Sequence, residues 1–131
     1  PDGKKIACYG DKCKSWVHSI PEGTELMVVE GEKRSDYGMK PLWWDNDTVF
    51  YQHAWLMYAY KVSTKEQITR LEIPKGRTVE TGIAITKSKK IYAANDEGVL
   101  HELAFDGTKF EIKQNYERFS EDMGPSNMQM F

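Results

Sequence analysis

Short apolar runs broken by polar turns fill this chain, and they recur at a fixed interval. Three of them match: Lys5-Ile6-Ala7-Cys8-Tyr9, Thr48-Val49-Phe50-Tyr51-Gln52 and Lys90-Ile91-Tyr92-Ala93-Ala94. Ile6 and Val49 stand 43 positions apart, and Val49 and Ile91 stand 42 apart. A second marker keeps step. Ile20, Val62 and Phe105 each lead into a polar turn, namely Pro21-Glu22-Gly23, Ser63-Thr64-Lys65 and Asp106-Gly107-Thr108. A period of this length marks a repeat architecture, because one unit cannot bury its own apolar face and must pack on its copies.

The runs are rich in Val, Ile, Tyr, Phe, Trp and Thr and stop at Gly10, Gly23, Pro74-Lys75-Gly76, Gly98 and Asp106-Gly107. That is how closely spaced β-strands read. Eleven strands are predicted: 4–9, 14–20 and 25–30 in the first unit; 39–44, 48–52, 56–62 and 67–73 in the second; 81–86, 90–94, 99–105 and 109–114 in the third. No stretch holds a helical period. The chain reads as one all-β repeat domain over 1–131, with units at about 1–36, 37–77 and 78–115 and a tail at 116–131. The first unit is one strand short. Residues 128–131, placed ahead of Pro1, look like the opening of the second unit around Trp43 and Trp44. They are expected to supply the missing strand, in the same molecule or a neighbour, and so to cover an exposed sheet edge. Residues 116–126 are then the connector.

Four strands per unit suit a β-propeller blade or a β-trefoil unit. A trefoil takes three such units in one chain. A propeller needs at least about four blades, so three would be half of a six-bladed ring shared by two chains, or a piece of a longer protein. Blade-like residues favour the propeller. Pro1-Asp2-Gly3-Lys4-Lys5-Ile6-Ala7 and Trp43-Trp44-Asp45 resemble the turn and second strand of blades in WD40 and TolB-like propellers. The third unit is similar to blades of the fungal and bacterial fucose-binding propeller lectins. Lys90-Ile91-Tyr92 opens a strand, Glu102 lies in the next, Asp106-Gly107 follows four residues later, and Phe110 comes at eight. The family's Arg is Lys90 here and its Trp is Phe110, so a point charge replaces a planar fork. The first two units carry no Glu at that place. The resemblance implies a non-enzymatic, lectin-like module in which Glu102 and Lys90 bind sugar hydroxyls.

Composition narrows the partners. The chain has 131 residues, a net charge of −2 and 12% aromatics, with four Trp and seven Tyr. Both signs of charge are interspersed, so a phosphate-tracking surface and a nucleic-acid partner are not expected. No apolar stretch approaches the ~20 residues that span a bilayer, so no membrane partner is expected either. The chain begins at Pro1 without Met and reads as processed, trimmed or partial.

A sugar site needs a flat aromatic for the ring and charged or amide groups for its hydroxyls. Trp55, Tyr58, Lys90, Tyr92, His101, Glu102 and Phe110 are the candidate ligand-binding residues. Trp55 leads, because it stands at a turn, His53-Ala54-Trp55, rather than within a strand. Repeated units would give several sites and multivalent binding of a glycan or glycoprotein. The alternative is a protein–protein interaction scaffold, and a homodimer or the remainder of a larger propeller is the expected protein partner.

Cys8 and Cys13 flank a hairpin at a spacing that leaves a disulfide and two free thiols both open. A disulfide would favour an extracellular, secreted setting slightly. Two Cys make no zinc site without two more ligands, and His18, His53 and His101 stand in different units. Asp45-Asn46-Asp47 has Phe50 and Leu56 where a calcium loop needs Gly and Glu, so it reads as an acidic turn. No nucleophile elbow, phosphate loop or His-Glu-x-x-His occurs, so neither enzyme activity nor a cofactor is expected.

Overall fold

The structure, a computed structural model, describes residues 2–10, 14–30, 40–53, 56–73, 78–95 and 99–116. Every regular element among them is a strand: β1 (Lys5–Tyr9), β2 (Lys14–Ser19), β3 (Glu25–Glu30), β4 (Lys40–Trp43), β5 (Thr48–His53), β6 (Leu56–Lys61), β7 (Glu66–Glu72), β8 (Thr78–Ile85), β9 (Ile91–Asn95), β10 (Leu100–Phe105) and β11 (Phe110–Tyr116). The eleven expected strands are present. Two differ usefully at their ends: β8 starts at Thr78 rather than 81, and β11 runs to Tyr116 rather than 114. Residues 128–131, expected to complete the first unit, lie outside the described residues.

The strands form three antiparallel sheets in the orders β1-β2-β3, β4-β5-β6-β7 and β11-β10-β9-β8. Each strand thus pairs with its neighbour in sequence, which keeps connections short. The repeat extends to individual backbone bonds. Trp44 N–H donates to Thr48 O at 2.9 Å, and Thr86 N–H, 42 residues on, donates to Lys90 O at 2.8 Å. Ile20 N–H donates to Lys4 O and Val62 N–H to Asp47 O, both at 2.8 Å. These are the apolar markers that keep step along the sequence.

Aspartates shape the turns. Asp2 Oδ1 accepts Lys4 N–H at 3.0 Å, and Asp45 Oδ1 accepts Asp47 N–H at 2.8 Å and Thr48 N–H at 2.7 Å. A short carboxylate that bonds the backbone two residues on mimics a turn without further help. Asp106 Oδ1 accepts Thr108 N–H, Lys109 N–H and Thr108 Oγ1–H at 2.8–2.9 Å, and these bonds hold its carboxyl at about 2, below the usual range. Asp47 reaches further. Its carboxylate accepts Ser63 N–H at 2.9 Å and Ser63 Oγ–H at 2.6 Å, joining the β4–β5 turn to the β6–β7 turn.

The chain divides into two compact units, Pro1–His53 with Met57–Ile68, and Ala54–Leu56 with Thr69–Phe131. In the first, Lys5 Nζ donates to Asn46 O at 2.7 Å, linking the first sheet to the second. Val17, Met27 and Val29 are buried on one face of the first sheet. Leu56 to Tyr60 are all buried, as are Val49, Phe50 and Tyr51, so β5 and β6 are covered on both faces. That is why these runs lack polar alternation. Each fully buried side chain of this size contributes about 1.5–3 kcal/mol. Burial pushes the Tyr51 phenol well above its ordinary value, and Cys8 and Tyr60 nearby push the same way. In the second unit, Ile83, Ile91, Ala93, Leu103, Phe105 and Phe110 are buried, with the Phe105 and Phe110 rings 5.1 Å apart.

Gly10 sits against the Trp16 ring, where an added Cβ would fall 2.5 Å from a ring carbon. Gly10→Ala should cost about 1–3 kcal/mol by urea denaturation, an overpacking penalty. The loss should shrink in a Trp16→Leu background. Asp47→Ala should cost about 1–2 kcal/mol, and the double variant with Ser63→Ala should lose clearly less than the two single losses combined, because the two groups share one set of bonds.

Candidate functional site

The third sheet sorts its side chains cleanly by face. Along β10, His101, Leu103 and Phe105 are buried, while Leu100, Glu102 and Ala104 are partly exposed. Antiparallel partners share a face, and Glu102 lies opposite both Tyr92 on β9 and Gln114 on β11. Ala84 on β8 is opposite Tyr92. A row therefore crosses all four strands on the open face: Ala84, Tyr92, Glu102, Gln114.

A β-bulge sets this row. The β10–β11 register shifts between Glu102 and Leu103: Leu103 pairs with Ile112 but Glu102 pairs with Gln114, so Lys113 is the extra residue. A bulge inserts one residue and re-aims those beyond it. Without it Glu102 would face Lys113, and Gln114 and Tyr116 would fall on the other face. With it, Tyr116 follows Gln114 on the open face.

The row is hydrogen-bonded. Tyr92 O–H donates to Glu102 Oε1 at 3.1 Å, and Tyr116 O–H lies 3.3 Å from the same oxygen and 3.3 Å from Gln114 Oε1. Two phenols thus converge on one carboxylate oxygen. Partial burial of the rings raises both phenols above their ordinary value, and Glu102 raises them further because its negative charge disfavours a phenolate. Lys90 is exposed and close enough to oppose the shift at Tyr116. The result is a shallow patch of two aromatic rings, a carboxylate, an amide and a lysine.

The structure thus brings Lys90, Tyr92 and Glu102 together on one surface. It does not bring Tyr58, Phe110 or His101 there. Tyr58 is buried in β6, with its ring 6.3 Å from that of Tyr60. Phe110 is buried against Phe105 across the Asp106-Gly107 turn, so it presents no stacking face. His101 is fully buried, with Nδ1 paired to Asn115 Oδ1 at 2.5 Å and Nε2 without a hydrogen-bond partner. For His101 and Phe110 strand alternation turns the side chain toward the covered face, and Tyr58 lies in a strand covered on both faces. Trp55 and Cys13 lie outside the described residues. Cys8 is a free, exposed thiol whose Sγ–H points to Trp16 O at 3.7 Å. Asp45-Asn46-Asp47 is a turn whose carboxylates are spent on backbone and Ser63 bonds.

Gln114 and Tyr116 join the site without having been singled out in the sequence. The expected strand ended at Gln114 and left Tyr116 to a connector. The signal was the continued polar–aromatic run Lys113-Gln114-Asn115-Tyr116, but a bulge breaks simple alternation and hides which face each residue takes.

The first sheet also has an open face. Ile6, Cys8, Trp16 and Val28 share it, since Cys8 pairs with Trp16 and Trp16 with Val28. Ile6 is 51% exposed and Val28 48%.

No family model matches the chain, and no curated protein matches it. Among solved structures, it is similar to a chain of "Crystal Structure of Mitotic Checkpoint Complex", with a TM-score of 0.69 over 87% of this chain at 10% sequence identity. The chain spans 36% of that chain's length. A likeness at this identity concerns the fold alone, an all-β, propeller-like repeat of antiparallel sheets.

Glu102→Gln should lower the titration midpoints of Tyr92 and Tyr116 toward the ordinary value of 10.0. Ultraviolet absorbance of the phenolates, assigned with Tyr92→Phe and Tyr116→Phe, measures this. Unmoved midpoints would mean that Glu102 does not face either ring in solution.

Proposed function

We propose that the chain is a non-catalytic binding module whose propeller-like sheets dock another protein by a sheet face. The observation that carries this reading is the open apolar face of the first sheet. Trp16 and Val28 are cross-strand neighbours on it, with Cys8 opposite Trp16 and Ile6 one rung on opposite His18, and Ile6 and Val28 are about half exposed. Contiguous exposed apolar residues on an ordered sheet are a common mark of an interaction surface. In this reading the three sheets are half of a six-bladed ring or part of a larger propeller.

A second reading, carbohydrate binding by a glycan or glycoprotein partner, rests on the third sheet. Tyr92 and Tyr116 offer faces for a sugar ring, and Lys90, Glu102 and Gln114 offer groups for its hydroxyls. The partner would meet a carboxylate already engaged by two phenols, so it would have to compete with or share those bonds.

Two surface variants separate the readings. Val28→Arg places a charge on the first sheet's open face, and Glu102→Ala empties the third sheet's row. Protein docking predicts that affinity-captured partners, quantified by mass spectrometry, are lost with Val28→Arg and kept with Glu102→Ala. Sugar binding predicts a glycan-array signal that Glu102→Ala removes and Val28→Arg leaves. A partner set and glycan signal unchanged by both variants would sink both.

A further inference from the structure

The two open faces carry opposite positions of the repeat. Ile6, Val49 and Ile91 are equivalent, yet Ile6 is 51% exposed while Val49 and Ile91 are fully buried. Trp16, Tyr58 and His101 are equivalent as well, and only Trp16 is partly exposed. The face open on the first sheet is therefore closed on the other two.

The converse holds on the third sheet. Val17, Ala59 and Glu102 are equivalent, and Val17 and Ala59 are buried while Glu102 is partly exposed. Phe50 is buried where its equivalent Tyr92 is partly exposed. The face open on the third sheet is closed on the second. On the first sheet the same face carries the buried Val17.

From this pairing we infer that the open face of the first sheet is covered by the open face of the third sheet of a second copy of this chain. The inference rests on the docking reading and names its partner. The repeat's own burial pattern selects the occupant: on the second sheet both kinds of face are buried, and among the described residues the first and third sheets each expose a different one. The chemistry fits. Ile6, Trp16 and Val28 present apolar area, and the opposing face presents two tyrosine rings and the small Ala84 and Ala104, with Lys90, Gln114 and Glu111 as polar groups on the same face. Glu102 brings its two phenol donors with it, so it is not left bare on burial. Unlike faces meet, so the contact is heterologous and either closes into a ring or continues as a chain.

Light scattering of the 131-residue protein over a concentration series tests it. The wild type should reach twice 15.2 kDa or a higher multiple. Val28→Arg blocks one face, and Ala84→Arg blocks the other while keeping both partners of the Tyr92–Glu102 bond. Each alone should run as a monomer with an unchanged circular-dichroism spectrum and melt. Mixed together they should form a one-to-one complex, because one pair of unlike faces survives between them. A wild type that stays monomeric overturns the inference, and so does a dimer that either variant leaves intact. A mixture that fails to recombine overturns it too, since like faces must then be meeting. A monomeric wild type that still loses a captured protein with Val28→Arg sinks the self-pairing alone and leaves the docking reading standing.

Discussion

A sheet with apolar side chains on both faces cannot stand by itself in water, and the rest of this structure follows from that constraint. Leu56 to Tyr60 and Val49 to Tyr51 are buried on both faces of their strands. The second sheet must be covered on both sides, which is what forces repetition. A single unit of this kind would expose as much apolar area as it buried, and only neighbouring units make its burial net favourable. The first and third sheets meet the same demand on one face only. Their other faces differ in chemistry, apolar on the first and aromatic-polar on the third.

Turn chemistry decides how cheaply those sheets are built. Asp2, Asp45 and Asp106 close their turns with their own carboxylates. Such bonds are local, so they cost little chain entropy and form early relative to contacts across the repeat. Asp47 is different. Its bonds to Ser63 span two turns of one sheet and keep the β5–β6 ladder in register at its end. The acidic cluster that looks at first like a cation loop is thus fully explained by backbone needs.

Much of the fold is legible in the sequence, because period and strand composition are both local signals. Ile6, Val49 and Ile91 mark the same rung of each sheet, and so do Ile20 and Val62. The candidate site is legible only in part. Lys90, Tyr92 and Glu102 were found because spacing in the third unit resembles a known blade. Tyr58 and His101 are candidates by residue type and Phe110 by its place in that blade spacing, yet His101 and Phe110 fall on the covered side of their strands and Tyr58 in a strand covered on both. Face assignment needs a register, and a register is a tertiary fact. The bulge at Lys113 makes the point sharply: one inserted residue decides that Gln114 and Tyr116 stand beside Glu102. Equivalence in sequence does not guarantee a covering neighbour, since Ile6 is exposed where Val49 and Ile91 are buried.

Tyr116 is the last residue of β11, and β11 is the outermost strand of its sheet. Strand ends on an edge are the first backbone to open, with little free energy needed for each excursion. Every such fraying event removes one phenol from Glu102 and leaves the carboxylate with Tyr92 alone. Opening of that strand end would therefore turn a carboxylate held by two phenols into one held by Tyr92 alone. A ligand that wants that carboxylate would bind the frayed form, and one that wants the flat aromatic surface would bind the zipped form. The length of a single edge strand would then act as the dial between them.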